Sequence, residues 1–273
     1  MRKATLVLAF ALAFAASSTG SAEDAWAEFS EPTETAIGPD LFNMPRFSFC
    51  VGVLDYHPKG AGTFEETFCG GGVGWDVVLD GIHTLFAEFE LLYTETEHLQ
   101  LDPVTQADNN IFRWGFKLGY MWSSWDRSLP PSELKEMSRY FRLGLGLNAV
   151  FSRQEYMRDV GVQDYEQLFD MYGGEAVLHL ELGPRNVVSA FCTLRGGGGS
   201  LEVASDSVFG IGSRVHTAGV HAALEAGLLS QFTMHTQLKV GYRFETWRFL
   251  AEDLMPETDT RLNLLFAELC FPF

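Results

Sequence analysis

Between Phe112 and Trp122 every even position is apolar (Phe112, Trp114, Phe116, Leu118, Tyr120, Trp122), while the odd positions are Arg113, Gly115, Lys117, Gly119 and Met121. Side chains of an extended strand point alternately to opposite faces, so this period of two writes one apolar face and one charged or glycine face. The pattern recurs. Phe141, Leu143, Leu145, Leu147, Ala149 and Phe151 alternate with Arg142, Gly144, Gly146, Asn148, Val150 and Ser152. Ala176, Leu178, Leu180 and Leu182 alternate with Glu175, Val177, His179 and Glu181, and Leu238, Val240, Tyr242 and Phe244 with Gln237, Lys239, Gly241, Arg243 and Glu245. Segments of this kind lie at roughly 46–56, 68–79, 83–96, 110–123, 137–154, 171–183, 186–198, 214–229, 232–248 and 261–273, which predicts an all-β chain of about ten strands, with eight or twelve as alternatives. No later segment has 18 consecutive apolar residues, so if the chain crosses a bilayer it does so as a closed barrel and not as a helix.

The connections are asymmetric. Asp80-Gly81-Ile82, Pro184-Arg185 and Ser230-Gln231 are short, whereas 57–67, 97–109, 155–170, 199–213 and 249–260 are longer and polar. That alternation matches a transmembrane antiparallel up-and-down barrel with its short turns on the periplasmic side. The exception is 124–136, which contains Pro130-Pro131 and has room for a small helix at Ser132–Met137. A soluble periplasmic barrel, apolar side inward, has the same periodicity. Glycines on the polar face (Gly115, Gly119, Gly144, Gly146, Gly241) favour the membrane polarity, because small residues suit a crowded lumen and gain nothing on a wet exterior.

The amino terminus differs from the rest. Arg2 and Lys3 precede an apolar stretch from Ala4 to Ala16 and then a small, polar stretch ending at Ala22, the layout of a secretory signal peptide over residues 1–22. Residues 23–45 are acidic, without sustained period, and read as a flexible leader or plug segment; the barrel is expected over 46–273. The whole chain carries 19 Lys+Arg against 36 Asp+Glu, a formal charge of −17, which excludes sequence-independent nucleic-acid binding because that requires a cationic surface.

At the carboxy terminus Leu265, Ala267, Leu269, Phe271 and Phe273 alternate up to a final Phe. This resembles the terminal recognition strand of Gram-negative outer-membrane β-barrel proteins. The resemblance implies insertion by the barrel-assembly machinery with help from periplasmic chaperones, Leu269, Phe271 and Phe273 serving as the insertion signal, and outer-membrane lipid as the surrounding medium. It also implies loops available to an extracellular ligand. Phe47, Phe49, Trp75, Tyr93, Trp122, Phe151, Trp247, Phe271 and Phe273 are expected to form the interfacial girdles.

Parity then assigns the lumen. Asp76, Glu88, Glu90, Glu175, Glu181, Glu225, Glu245 and Glu268 face Arg113, Lys117, Arg142, Arg195, Lys239 and Arg243, with His179 and His221 among them. Glu88 and Glu90 on the third strand are expected beside Arg113 and Lys117 on the fourth. One reading is an interior closed by salt bridges; the other is a narrow pore that prefers cations slightly, eight acids facing six bases. Cys50 and Cys270, both inward and on the strands that close the barrel, are compatible with a disulfide if their depths match. Cys69 and Cys192 add no metal-binding spacing, and no cofactor motif is present.

Enzymatic readings are weaker. An omptin-like protease needs Asp and His gathered at the outer rim, where Asp55, His57 and His98 lie, with Glu65, Asp102 and Asp108 in loops at undiagnostic spacing. A lipase-like site needs Ser and His on the lipid face, and Ser189 and His235 do not share it. No G-x-S-x-G elbow occurs, and Gly196–Gly199 lacks the Lys and helix of a phosphate loop.

Overall fold

The computed structural model of the protein describes residues 42–58, 64–100, 106–129, 135–160, 163–184, 188–205, 213–233, 236–250 and 258–271. Ten strands are present: β1 (Phe42–Pro58), β2 (Phe64–Val78), β3 (His83–Gln100), β4 (Gln106–Ser123), β5 (Phe141–Val160), β6 (Gln163–Leu182), β7 (Ser189–Ser205), β8 (Ser213–Thr233), β9 (Thr236–Phe249) and β10 (Thr258–Cys270). A single short helix, α1 (Glu136–Tyr140), stands before β5 among the described residues. Each strand pairs antiparallel with its sequence neighbour, and β1 pairs with β10 to close the barrel. Closure removes both sheet edges, which lets every ladder group be satisfied without water.

Several boundaries differ from expectation. β1 begins at Phe42, so Phe42–Pro45 belong to the barrel and not to the leader; the rest of that leader and the signal segment lie outside the described residues. The link expected over 155–170 is mostly strand, since β5 runs to Val160 and β6 resumes at Gln163. Beyond the lipid the outer face no longer has to be apolar, so the alternation fades while the hydrogen-bonded ladder continues. The Ser230-Gln231 turn is instead strand, with β8 reaching Thr233 and a register irregularity between Gln231 and Thr233. The small helix occurs four residues later than expected, and positions 130–134 lie outside the described residues.

The outer face decides the polarity. Phe49, Val73, Leu85, Leu118, Leu147, Leu194, Val220, Leu228 and Leu265 are all exposed, and Leu147 is 67% so. A soluble barrel would hide these side chains, so the soluble alternative is overturned. On β5 the outward apolar run goes from Phe141 to Phe151 and stops at Arg153, which forms a two-pronged ion pair with Asp170 of β6 (Nε–Oδ1 2.6 Å, Nη2–Oδ2 2.7 Å). Ten residues along a strand tilted by about 40° rise about 25 Å, the height of a barrel's apolar band. Just below the pair the rings of Trp114, Phe151 and Tyr172 lie side by side, with centroids 4.9 and 5.0 Å apart. At the short-turn end the Phe47 and Phe271 rings meet edge to face at 6.0 Å.

Candidate functional site

All ten strands contribute inward side chains, and the lumen they form has two chemically distinct halves. The half toward the short turns is charged. Arg142 at the start of β5 is fully buried; its Nε donates to Glu181 (2.7 Å), and its other nitrogens donate to the carbonyls of Ser138 (3.0 Å) and Gly183 (2.9 Å). Arg46 lies 3.0 Å from Asp76, 3.3 Å from Glu268 and 3.6 Å from Glu88. Midway along the barrel, Glu225 accepts from Arg195, from Arg243 (2.8 Å) and from Lys239 (3.4 Å), while Arg243 also reaches across to Glu90 (2.5 Å). Lys239 additionally sits over the Phe191 ring at 4.6 Å.

One level further up, Glu245 accepts from Arg113 and from the Trp247 indole N–H (2.6 Å). His221 stacks on Trp247 with centroids 3.6 Å apart, its Nδ1 3.1 Å from Glu175 and its Nε2 3.8 Å from Glu245. Asn148 donates to the other Glu175 oxygen (2.8 Å). Several kcal/mol of desolvation per ion is offset when the charges are mutually paired, as Glu181, Glu225, Glu245 and Glu268 are with Arg142, Arg243, Arg113 and Arg46. Gly119 shows how tightly it is packed: a Cβ there would come within 2.3 Å of both Asn148 Oδ1 and the Phe86 ring.

The expected third- and fourth-strand cluster is partly rearranged. Glu88 and Lys117 face each other in register and pair at 3.4 Å. Glu90 stands opposite Gly115 and Arg113 opposite Leu92, so these two do not meet; each finds its partner on β9, across the lumen. Two cations escaped the parity assignment. Arg46 falls at the expected barrel edge, and Arg127 lies in the β4–β5 connection, where no strand parity applies. With them eight cations face the eight carboxylates among the described residues, which removes the acidic surplus on which a cation preference rested.

The half toward the long loops is apolar. Leu54, Phe68, Leu92, Ile111, Leu201, Leu262 and Leu264 point inward and are at most 1% exposed, joined by Phe169, Met171, Phe249 and Phe266 in one contiguous cluster. Trp247 belongs to this cluster and not to an interfacial girdle, because its parity on β9 is that of Arg243 and Glu245. The signal for the cluster was present as consecutive apolar pairs near the upper strand ends, Leu91-Leu92, Ile111-Phe112 and Leu264-Leu265-Phe266, where both faces lose polarity at once.

The lumen is also covered at the short-turn mouth. Trp125 is 3% exposed, and Arg127 donates to Asp76 (3.0 Å) and Thr84 (3.0 Å). Between this cover and the apolar cluster is a cavity of about 140 Å³, bordered by Arg46, Asp76, Lys117, Arg195 and Glu268. A smaller one of about 20 Å³ lies beneath Leu92, Val150 and Trp247.

The four cysteines are free thiols. Cys50 faces Phe266 and Cys270 faces Arg46, so the two stand four positions out of register, about 13 Å along the strands, too far for a disulfide. Among the residues considered for rim chemistry, Asp55 has outward parity with Val51 and Val53; Asp102 and the side chains of His57, Glu65, His98 and Asp108 lie outside the described residues. No metal-ligating group of three or more side chains occurs among the described residues. Leu269 points outward, Phe271 donates its amide to the Pro45 carbonyl (2.9 Å), and Phe273 lies outside the described residues.

No protein-family description and no curated protein matches this sequence. Among solved structures, the barrel is similar to the outer membrane protease OmpT from Escherichia coli, at 14% identity and a TM-score of 0.49, covering 89% of this chain and 100% of that one. It is also similar to Ail, the attachment invasion locus protein of Yersinia pestis (10%, TM-score 0.33, 84% and 99%), and to Neisserial surface protein A (8%, TM-score 0.36, 85% and 97%).

Proposed function

We propose that this protein is an integral outer-membrane barrel whose membrane section is a sealed structural body, and whose working surface is the rim of strands and loops beyond the outer apolar boundary. The observation that carries this reading is the lumen: balanced ion pairs fill one half and a contiguous apolar cluster fills the other. A water-filled pore needs a continuous polar path, and dry apolar constrictions oppose one. The rim has the reach for a surface partner, because β5 extends seven residues past Arg153, about 23 Å of strand.

The signal-like residues 1–22 and the terminal Leu269, Phe271 and Phe273 support delivery to the outer membrane through periplasmic chaperones and the barrel-assembly machinery. Replacing Phe273 with a polar residue is then expected to lower outer-membrane insertion, measured by fractionating cells. Orientation is tested by placing single cysteines in an otherwise cysteine-free chain: Gly161→Cys or Asp206→Cys should label on intact cells, and Asp80→Cys or Pro184→Cys should not. The sealed-lumen reading is tested in planar bilayers. The full chain is expected to insert without steady conductance, and a stable ohmic channel would refute it in favour of the pore.

A further inference from the structure

We infer that the segment Ser124–Leu129 is a removable plug, so that the charged cavity of the barrel opens only toward the short-turn side. This rests on the sealed-lumen reading and adds a way in which the seal opens.

The two ends of the lumen are held differently. The apolar closure is made of inward side chains carried by the paired strands of the barrel, so removing it as a body would require breaking strand pairing. The other mouth is covered by a connection. Trp125 is inserted from it into the barrel and lies near the His179 ring, centroids 6.4 Å apart. Ser124 is tied to β5, its amide donating to the Leu143 carbonyl (2.8 Å) and its hydroxyl accepting from the Leu143 amide (2.9 Å); beyond it the polar anchors include the Arg127 guanidinium on Asp76 and Thr84, and the Arg127 amide on the Gly81 carbonyl at 2.7 Å. The Asp126 carboxylate accepts from the Ser128 amide (3.0 Å) and hydroxyl (2.5 Å), so the segment keeps its own turn.

The β2–β3 turn is shaped to receive this segment. Gly81 has φ +81°, and a Cβ there would come within 2.3 Å of an Asp126 oxygen. Lifting Ser124–Leu129 away breaks the two Ser124–Leu143 bonds and the Arg127 contacts and exposes the Trp125 indole, while the pairing of β4 with β3 and β5 up to Ser123 stays intact. Local openings of this kind lie far below global unfolding in free energy.

Two native thiols report on the two ends. Cys270 borders the cavity beside Arg46 and Glu268 and is buried, and Cys50 belongs to the apolar cluster. The full chain carrying Cys69→Ser and Cys192→Ser, refolded in detergent micelles, is treated with a charged, water-soluble methanethiosulfonate, and labelling at each thiol is followed by mass spectrometry. Arg127→Gln is expected to speed Cys270 labelling by about ten-fold through loss of charge-assisted bonds, with Cys50 still unlabelled. An unchanged Cys270 rate overturns the plug, and so does parallel acceleration at both thiols, which would mean a loosened barrel. A second measurement needs no variant at Arg127: in rising urea, Cys270 should become reactive before the far-ultraviolet circular dichroism changes, and Cys50 only with it. Coincident curves overturn the inference. Conductance measurements are independent of this result, so a failed plug leaves the sealed-lumen reading standing.

Discussion

The two halves of the lumen share strands, parity and burial but not chemistry. Toward the short turns the interior is a lattice of ion pairs around a cavity of about 140 Å³; toward the long loops it is aliphatic and aromatic. The difference teaches that parity assigns a side chain to a face and says nothing of what that face must be made of. Lipid requires apolar residues outside, whereas the inside need only be filled and satisfied. The charged half reaches that state by pairing, the apolar half by packing, and their responses to truncation should differ accordingly.

The largest effect is expected where a charge has no water to fall back on. Arg142→Met takes from the fully buried Glu181 its guanidinium partner at 2.7 Å, and removes donors to two carbonyls. Breaking a buried pair from one side costs about 3–5 kcal/mol, so urea unfolding in detergent should shift by that amount. Arg142→Met combined with Glu181→Met should recover most of it. If the double variant is as unstable as the single one, packing and not pairing governs this half.

The apolar half gives the contrasting test. Leu264→Ala removes a side chain with no exposure and should cost about 2–5 kcal/mol through lost burial and the cavity left behind. No second substitution elsewhere should rescue it, because the Leu264 side chain leaves no polar partner behind. Rescue by a charged neighbour would break the comparison.

Sequence periodicity carried most of this architecture. About ten strands and the inward parity of residues from Asp76 to Glu268 are legible in the alternation, because a lipid-facing side chain leaves its mark at every second position, and the connection lengths add the up-and-down order. Three things were illegible for physical reasons. Arg127 and Trp125 act from a connection, where no period exists. The long hairpin of β5 and β6 stands outside lipid, so its outer face is free of the apolar requirement. The cross-lumen pairs Arg113–Glu245 and Arg243–Glu90 join strands distant in sequence, which adjacency cannot reveal.

The exterior supplies a reference for both halves. Leu118 is 51% exposed on β4 and flanks the inward Lys117 and Gly119, so Leu118→Arg places a guanidinium in hydrocarbon at a cost of about 2–4 kcal/mol near the midplane. The loss should appear in lipid vesicles of ordinary thickness and shrink when the vesicle bilayer is thin enough for the arginine to reach the headgroups. A loss of equal size in both would mean that Leu118 contacts protein, and the boundary drawn by Arg153 and Asp170 would have to be moved.

The smallest effect is expected at Lys117, and it bears most directly on whether the halves are as separate as they look. Lys117 pairs only at 3.4 Å with Glu88, and Glu88 keeps Arg46 at 3.6 Å when the lysine is lost. Glu90, its other expected partner, is already held by Arg243. Lys117→Met therefore removes one hydrogen bond to a charged group without orphaning a carboxylate, a loss of about 1–2 kcal/mol. It also makes the charged half net acidic, which in an open pore would draw cations. Because the apolar cluster closes the path above, that surplus should be electrically silent in planar bilayers. A cation-selective current from Lys117→Met would show that ions pass between the halves, and that Leu54, Ile111, Leu262 and Leu264 part under voltage and form no fixed seal.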